Sequence, residues 1–265
     1  MHAMLNIAIR AARAAGNVIL RNVDRAENLP VDSKQHNDFV TDVDRNAESE
    51  IIRTIHRSYR DHAFLAEESG TTGESDYVWI IDPLDGTTNF LHGFPAFSVS
   101  IALEVKGQLE CAVVFDPLRN ELFAASKGGG ATLNDRRIRV SKRRGLDGAL
   151  LGTGFPFREG ADIDLYLRMF KPMLAGTAGV RRAGSAALDL SYVACGRLDG
   201  FWELGLKPWD MAAGVLLIRE AGGIVTDFRS GDRYLETGNL IAGNPKVHAA
   251  MDKILMPFAR ENPRL

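Results

Sequence analysis

Apolar residues recur four and three positions apart through the first part of the chain. Leu5, Ile9, Ala12, Gly16, Ile19 and Val23 fall on one stripe, which predicts an opening amphipathic helix closed by Pro30 and the polar stretch to Asn37. A second helix is expected from Thr41, burying Ala47, Ile51, Ile52 and Ile55. Two short apolar strands follow, Ala63 to Ala66 and Val78 to Ile81, and each ends on an acid, Glu67 or Asp82. Phe97 to Val105 and Leu109 to Phe115 flank Lys106-Gly107-Gln108, a hairpin signal. Glu121 to Ala125 reads as the next strand of that antiparallel sheet. Gly128-Gly129-Gly130 then turns the chain toward a strand near Arg136 to Val140.

The texture changes near residue 145. Helical patterns over Ile163 to Leu174, Ser185 to Ala194, Trp209 to Ala221 and Pro245 to Leu255 alternate with short strands at Leu198 to Glu203 and Gly223 to Thr226. The reading is an α+β lobe over residues 1–145 and an α/β lobe over residues 146–265, forming one functional unit. A site is expected where the lobes meet. There is no repeat, low-complexity tract or long linker.

Composition narrows the class. Of 265 residues, 45% are hydrophobic and 25% charged, the balance of a soluble globular chain. A net charge of -2 argues against a protein built mainly to coat nucleic acid or an anionic membrane. Cys111 and Cys195 lie far apart without metal-ligand spacing, so neither a disulfide framework nor a zinc site is expected, and a reducing cytoplasm is the natural setting. Arg10, Arg13 and Arg21 break the N-terminal apolar stretch, so it does not read as a signal peptide, and no membrane partner is expected.

The chemistry concentrates at the two strand ends, in Glu67-Glu68-Ser69-Gly70 and Asp82-Pro83-Leu84-Asp85-Gly86-Thr87-Thr88. Carboxylates gathered at such a point repel one another unless a hard cation neutralises them. Magnesium suits oxygen donors and keeps several waters, leaving positions for a phosphate and a nucleophile. Gly86 lets the backbone approach closely, and the NH groups of Gly86, Thr87 and Thr88 are placed to hold a phosphate. Taken singly, Asp-Gly is a common turn and Glu-Glu-Ser-Gly an ordinary solvated loop. Asp210 alone reads as an early-turn acid complementing a helix dipole. Thr41 with Asp44 reads as a helix cap unless the fold brings Asp44 to the metals.

Taken together these segments resemble the inositol monophosphatase family of lithium-sensitive, magnesium-dependent phosphatases. The resemblance is carried by Asp38-Phe39-Val40-Thr41-Asp42-Val43-Asp44, Glu67-Glu68-Ser69, and the run from Trp79 through Asp82-Pro83-Leu84-Asp85-Gly86-Thr87-Thr88 to Phe90. It continues in Gly184-Ser185-Ala186-Ala187-Leu188 and in Trp209-Asp210 with Glu220-Ala221-Gly222-Gly223. It implies the layered α-β-α-β-α sandwich of the inositol monophosphatase and fructose-bisphosphatase superfamily. It implies that Glu67, Asp82 and the Leu84 carbonyl bind one magnesium, that Asp82, Asp85 and Asp210 bind a second, and that Glu67 helps hold a weaker third. By the same resemblance Thr87 and Asp44 flank the attacking water, which Glu67 helps activate. Glu203 and the Gly184-Ser185-Ala186 backbone hold the polyol, with Asp210 touching a hydroxyl. Lys34, whose spacing to Asp38 is ambiguous, is a candidate for a lysine near the phosphate. The family is usually dimeric, and Arg181-Arg182 are candidates for subunit contact.

Other readings compete. Haloacid dehalogenase phosphatases use an Asp-x-Asp motif, whereas the spacing here is Asp-x-x-Asp. Fructose-bisphosphatase and nucleotide 3'-phosphatase activities share the metals and phosphate contacts, while the glycine-serine-alanine and Glu203 elements favour inositol monophosphate. One bacterial branch is associated with ribosomal RNA transcription antitermination, so a role as a binding factor beside antitermination proteins or RNA polymerase stays open. The basic cluster Arg136, Arg137, Arg139, Lys142, Arg143 and Arg144 reads as a solvated hairpin rim in a near-neutral chain.

Overall fold

Helix α1 (Ala3–Leu20) opens the protein, followed by a 3-10 turn over Val23–Asn28 and a hairpin of β1 (Val31–Gln35) and β2 (Asp38–Thr41). This computed structural model describes residues 3–28, 31–35, 38–156 and 162–262. The helical stripe differs in phase from the expected one. Leu5, Ala8, Ala11, Ala12, Ala15 and Ile19 are buried, Ile9 is only half-buried, and Val23 falls in the 3-10 turn. Small residues decide the phase by allowing close packing. A Cβ on Gly16 would sit 2.5 Å from the Phe115 ring, so only glycine lets the helix lie this near the sheet. By length and composition α1 is apolar enough to cross a membrane, yet its apolar side lies in the core. The polar stretch after Pro30, expected only to end the helix, also supplies β1, which pairs antiparallel with β2. Its pairing comes from backbone groups that no periodicity reveals.

Helix α2 (Asp42–His56) starts at the Thr41 cap and buries Ala47, Ile51 and Ile55, with Ile52 half-buried. The central sheet is then laid down by β3 (Ala63–Ala66), β4 (Gly70–Thr72), β5 (Tyr77–Asp85), β6 (Ser98–Val105), β7 (Gln108–Asp116), β8 (Glu121–Ser126), β9 (Gly130–Leu133) and β10 (Arg136–Arg137). Helix α3 (Thr87–Leu91) interrupts it after β5. The eight strands run in the order β10-β9-β8-β7-β6-β5-β3-β4, and only β3 and β5 pair in parallel. The strand expected over Arg136 to Val140 is confined to Arg136–Arg137. Beyond it the chain leaves the sheet, and Val140 N donates to Ala221 O.

The second sheet takes β11 (Leu150–Thr153), β12 (Gly179–Arg181), β13 (Gly200–Glu203), β14 (Ile224–Thr226) and β15 (Leu240–Gly243), in the order β12-β11-β13-β15-β14. Its helices are α4 (Ile163–Ala175), α5 (Ala186–Ala194), α6 (Pro208–Glu220), α7 (Tyr234–Thr237) and α8 (Pro245–Glu261). Strands β4, β11, β12 and β15 are of three or four residues and carry no usable alternation, which is why the sequence does not announce them.

Three apolar cores define the layers. Helices α1 and α2 pack on one face of the large sheet through Trp79, Ile81, Val99, Ile101 and Val113. The opposite face presents Ile80, Ala102, Ala112, Val114 and Phe123 to α5 and α6, whose other sides meet the small sheet. Helices α4 and α8 cover the far face of the small sheet around Trp202, Phe228 and Ile241. The result is an α-β-α-β-α sandwich. Helices α5 and α6 are buried nearly all round, so their sequence lacks a polar face. Each fully buried Leu, Ile or Phe contributes roughly 1.5–3 kcal/mol of burial free energy. Cys111 is buried, Cys195 half-buried, and both thiols are free.

Candidate active site

Glu67 and Asp82 stand abreast because β3 and β5 run parallel with Ala66 opposite Ile81. Glu67 N donates to Ile81 O at 3.1 Å. Asp85 follows Asp82 by three positions, which in a regular strand would turn its side chain to the opposite face. A bulge intervenes: Asp82 pairs with Ser100 but Asp85 with Ser98, so three steps on β5 match two on β6. The extra residue returns both carboxylates to one side and accommodates Pro83, which has no NH to give the ladder. Asp82 Oδ1 fixes this kink by accepting from Leu84 N at 3.0 Å.

Asp85 is held from the other half of the chain. Its Oδ2 accepts from Ser185 Oγ at 2.6 Å and from Ala187 N at 2.8 Å. Ser185 is also the N-cap of α5, so the carboxylate faces a helix start, where partial positive charge favours it. Asp210 sits in the first turn of α6 and its Oδ2 accepts from Lys207 N at 2.7 Å. Ser100 Oγ donates to Trp209 O at 3.1 Å and ties that turn to β6.

The four acids interact. Burial, then Glu67, Asp85 and Asp210, push the Asp82 carboxyl well above the usual range. Burial raises Asp85 to about 6, opposed by its Ser185 and Ala187 hydrogen bonds and supported by Glu67. Unneutralised, such a set holds protons it would lose in water; a divalent ion relieves the same repulsion. Among the described residues no three His, Cys, Asp or Glu side chains close round a single point as a finished cage. The donor set is instead hard, all-oxygen and open, which fits an ion that keeps several waters.

Beside the acids lies a hydroxyl–carboxylate pair. Asp44 Oδ2 accepts from Thr41 N at 2.8 Å and Thr41 Oγ1 at 2.6 Å, completing the cap of α2. Its Oδ1 accepts from Thr87 Oγ1 at 2.9 Å, and Thr87 Oγ1 also lies 3.1 Å from Leu84 O. Asp44 is therefore both the helix cap and a partner of the loop after β5. Burial raises its carboxyl, and the Thr41 and Thr87 donors hold it down.

Gly86 needs its identity here. At φ 96° a Cβ would lie 2.8 Å from Ala96 O and 3.3 Å from Gly184 O. Asn89 Nδ2 donates to Ala96 O at 2.7 Å and Ala183 O at 2.8 Å, clamping this loop to the Gly184-Ser185-Ala186 segment. Glu203, at the end of β13, has its carboxyl raised by burial and then by Asp210 and Asp189, with Arg182 opposing. Thr88 is exposed on the rim, as is His92. Lys34 falls in β1, but its side chain lies outside the described residues.

Two residues join the site without a sequence motif. Buried Glu48 accepts from Glu68 N at 2.8 Å and Ser69 N at 2.9 Å, fixing the loop that carries Glu67. The available signal was an acid on the apolar stripe Asp44, Glu48, Ile51, Ile55 of α2. Asp189, buried in α5, faces Asp85 and Arg182, its carboxyl raised chiefly by burial.

The layered sandwich and this acidic cluster define a member of the inositol monophosphatase and fructose-bisphosphatase superfamily. The chain belongs to the inositol monophosphatase family, whose model matches residues 1–258. It is 54% identical over 263 residues to the Nus factor SuhB of Pseudomonas aeruginosa, covering 97% of each chain. It is 54% identical over 253 residues to the Nus factor SuhB of Escherichia coli, covering 95% of each. Among solved structures, the extragenic suppressor protein SuhB of Bartonella henselae superposes with a TM-score of 0.93 at 45% identity, over 96% of this chain and 98% of that one. The Thermotoga maritima inositol monophosphatase gives 0.88 at 35% identity, over 98% and 99%. The family supports phosphatase activity and is generally metal-dependent.

Proposed function

We propose that this protein is a magnesium-dependent phosphate monoester hydrolase that releases inorganic phosphate from inositol monophosphates, acting as one unit across its lobes, 1–145 and 146–265. The observation that carries the reading is the buried Asp82 carboxyl ringed by Glu67, Asp85 and Asp210. Glu67, Asp82, the Leu84 carbonyl, Asp85 and Asp210 are the donors that would hold magnesium. When bound, the ion makes water a stronger nucleophile and offsets charge on the leaving oxygen. The protein's own groups do the rest. Thr87, whose hydroxyl proton is given to Asp44 or Leu84 O, keeps lone pairs directed away from them to orient the attacking water. Asp44 Oδ1 lies one hydroxyl further on to receive its proton, with Glu67 assisting. Gly86, Thr87 and Thr88 backbone groups position the phosphate. Gly184, Ser185, Ala186, Glu203 and Asp210 line the polyol side.

A phosphate-release screen over inositol phosphates, fructose bisphosphate and 3'-phosphoadenosine phosphate, with and without magnesium, tests this. Preference for inositol monophosphate that vanishes on chelation is expected. Turnover of fructose bisphosphate or the nucleotide alone would move the assignment to another branch.

A second role in ribosomal RNA transcription antitermination, beside antitermination factors or RNA polymerase, is supported by the full-length relatives named Nus factor. An Asp85→Asn protein that rescues a deletion strain would separate that role from catalysis. A homodimer is supported by Ile163, Leu167 and Leu174, exposed along one side of α4, with Phe155 and Arg181-Arg182 exposed nearby.

A further inference from the structure

His62 is the middle ring of a stack between two tyrosines. Its centroid lies 4.6 Å from that of Tyr59 and 4.6 Å from that of Tyr77, with interplanar angles of 11° in both pairs. Buried Trp79 donates its indole Nε1–H to His62 Nδ1 at 3.0 Å. An indole N–H only donates, so Nδ1 is the bare acceptor and the imidazole proton sits on Nε2. That Nε2–H has no acceptor among the described residues, and it is not sealed from solvent. Burial lowers the pKa of His62, opposed by Asp61. Protonation would also turn Nδ1 into a donor facing the Trp79 N–H, so the ring is held neutral. Packing accounts for the stack, but packing does not need an imidazole N–H left free at its edge.

The three rings line a cleft of about 470 Å³ between the turn after α2 and the loop before β5. Clefts of this size ordinarily take a small organic ligand. Its walls are tied down by the chain itself. Tyr59 N donates to Ile55 O at 2.9 Å, Lys106 N to Asp76 O at 2.8 Å, and Tyr77 N to Ser75 Oγ at 3.2 Å. The cleft is therefore formed before anything enters it, which lowers the cost of binding. Arg60, Asp61 and Asp76 also line it. Exposed Arg60 and Asp61 take part in no ion pair among the described residues, and Lys106 Nζ lies 3.7 Å from Asp76. Two cations thus balance two acids, and the cleft carries no net charge. It stands at the opposite ends of β3 and β5 from Glu67 and Asp82, five residues or about 16 Å along each strand.

We propose that this cleft is a binding site for a neutral polyhydroxylated ring, a sugar or a cyclitol, separate from the acidic cluster. A lone anion is disfavoured by Asp61 and Asp76, and a lone cation by Arg60 and the His62 N–H. A ring hydroxyl both donates and accepts. Adjacent hydroxyls therefore give protons to a carboxylate while accepting from Arg60 and from His62 Nε2–H. The tyrosines offer apolar ring surface to the C–H face of such a ligand and a hydroxyl to its rim. A planar base is disfavoured because His62 already fills the slot between the two tyrosines.

The chain has three tryptophans, Trp79, Trp202 and Trp209, so three indole N–H signals in a proton–nitrogen correlation spectrum report three places. Trp79 reports the cleft through its bond to His62, and Trp209 reports the turn that carries Asp210. Magnesium-free protein is titrated with glucose or myo-inositol up to about 50 mM, which covers dissociation constants in the millimolar range. The Trp79 signal should move and saturate with at least one of them, and the two midpoints tell which ring is preferred. The variant Arg60→Gln/Asp61→Asn should raise the dissociation constant at least about tenfold, with melting temperature and phosphate release unchanged. Should that variant not fold, Arg60→Gln alone must still weaken binding. A Trp79 signal that stays in place with both rings, or a midpoint unaltered in the variants, overturns the proposal. Movement of Trp209 without Trp79 does so as well, by placing the ring at the acidic cluster alone. An equal response to glycerol, or a stronger one to spermidine or inorganic phosphate, also overturns it, since ring shape or neutrality would then not be what the cleft selects.

Discussion

Ser185 Oγ lies 2.6 Å from Asp85 Oδ2, a hydrogen bond between residues a hundred positions apart that joins the end of β5 to the start of α5. One hydroxyl thereby orients a candidate metal ligand and caps a buried helix. Ser185→Ala should therefore cost about 1–3 kcal/mol in chemical denaturation. It should also raise the magnesium concentration needed for half-maximal phosphate release. Loss of stability with an unchanged magnesium requirement would reduce the bond to a structural cap.

Asp82 is buried among three other acids, so its carboxylate gains from a cation. As a hypothesis, Asp82→Asn stabilises the metal-free protein, because asparagine keeps the acceptor for Leu84 N and removes the repulsion with Glu67, Asp85 and Asp210. The same variant should abolish magnesium-dependent hydrolysis and the rise in melting temperature on adding magnesium. Asp85→Asn and Asp210→Asn should likewise abolish hydrolysis while the fold persists. Full activity in any of the three would sink the ligand assignment.

The pH dependence of metal-free stability follows in sign from Asp85. Its carboxyl titrates at about 6 in the fold against an ordinary 3.8, so between those values the folded protein holds the extra proton. Stability is therefore greatest at the acid side of this window and falls as pH rises through about 6. Asp82, raised in the same direction, extends the decline. Saturating magnesium should remove it. Urea denaturation at intervals across the window, with and without the ion, reads the difference directly; a stability that rises with pH in the metal-free protein contradicts the arrangement.

Glu48 acts on Glu67 through the backbone of the loop after it. Glu48→Ala takes the acceptor from two part-buried NH groups and should cost about 1–3 kcal/mol, while Glu48→Gln keeps one acceptor and costs less. Both should weaken magnesium dependence more than they alter the substrate KM. Equal effects on the two parameters would mean general loosening.

Thr87→Ala should lower kcat by about 10²–10⁴ with little change in magnesium midpoint, and Thr87→Ser should restore most of it, because the role rests on the hydroxyl bonded to Asp44 and not on the methyl group. A tenfold or smaller loss in the alanine variant would remove Thr87 from water positioning.

Much of this protein is legible before folding. The hairpin about Lys106-Gly107 and the helix capped at Thr41 are local, set by turn chemistry and by short-range periodicity. The acidic segments at Glu67 and Asp82-Pro83-Leu84-Asp85 stand out because buried strands rarely end in clustered carboxylates without a counter-charge. What spacing could not give was their convergence. Asp82 and Asp85 share a side only because a bulge shifts β5 against Ser100 and Ser98 on β6. Glu67 joins them only because β3 lies parallel to β5, and Asp210 only because α6 packs between two sheets. Glu48 and Asp189 belong to no motif for the same reason: each acts on backbone or charge far away in sequence. Local conformation follows from dihedral and turn preferences written in the sequence. Only packing sets which distant carboxylates share one desolvated space, and that shared space is what makes them a site.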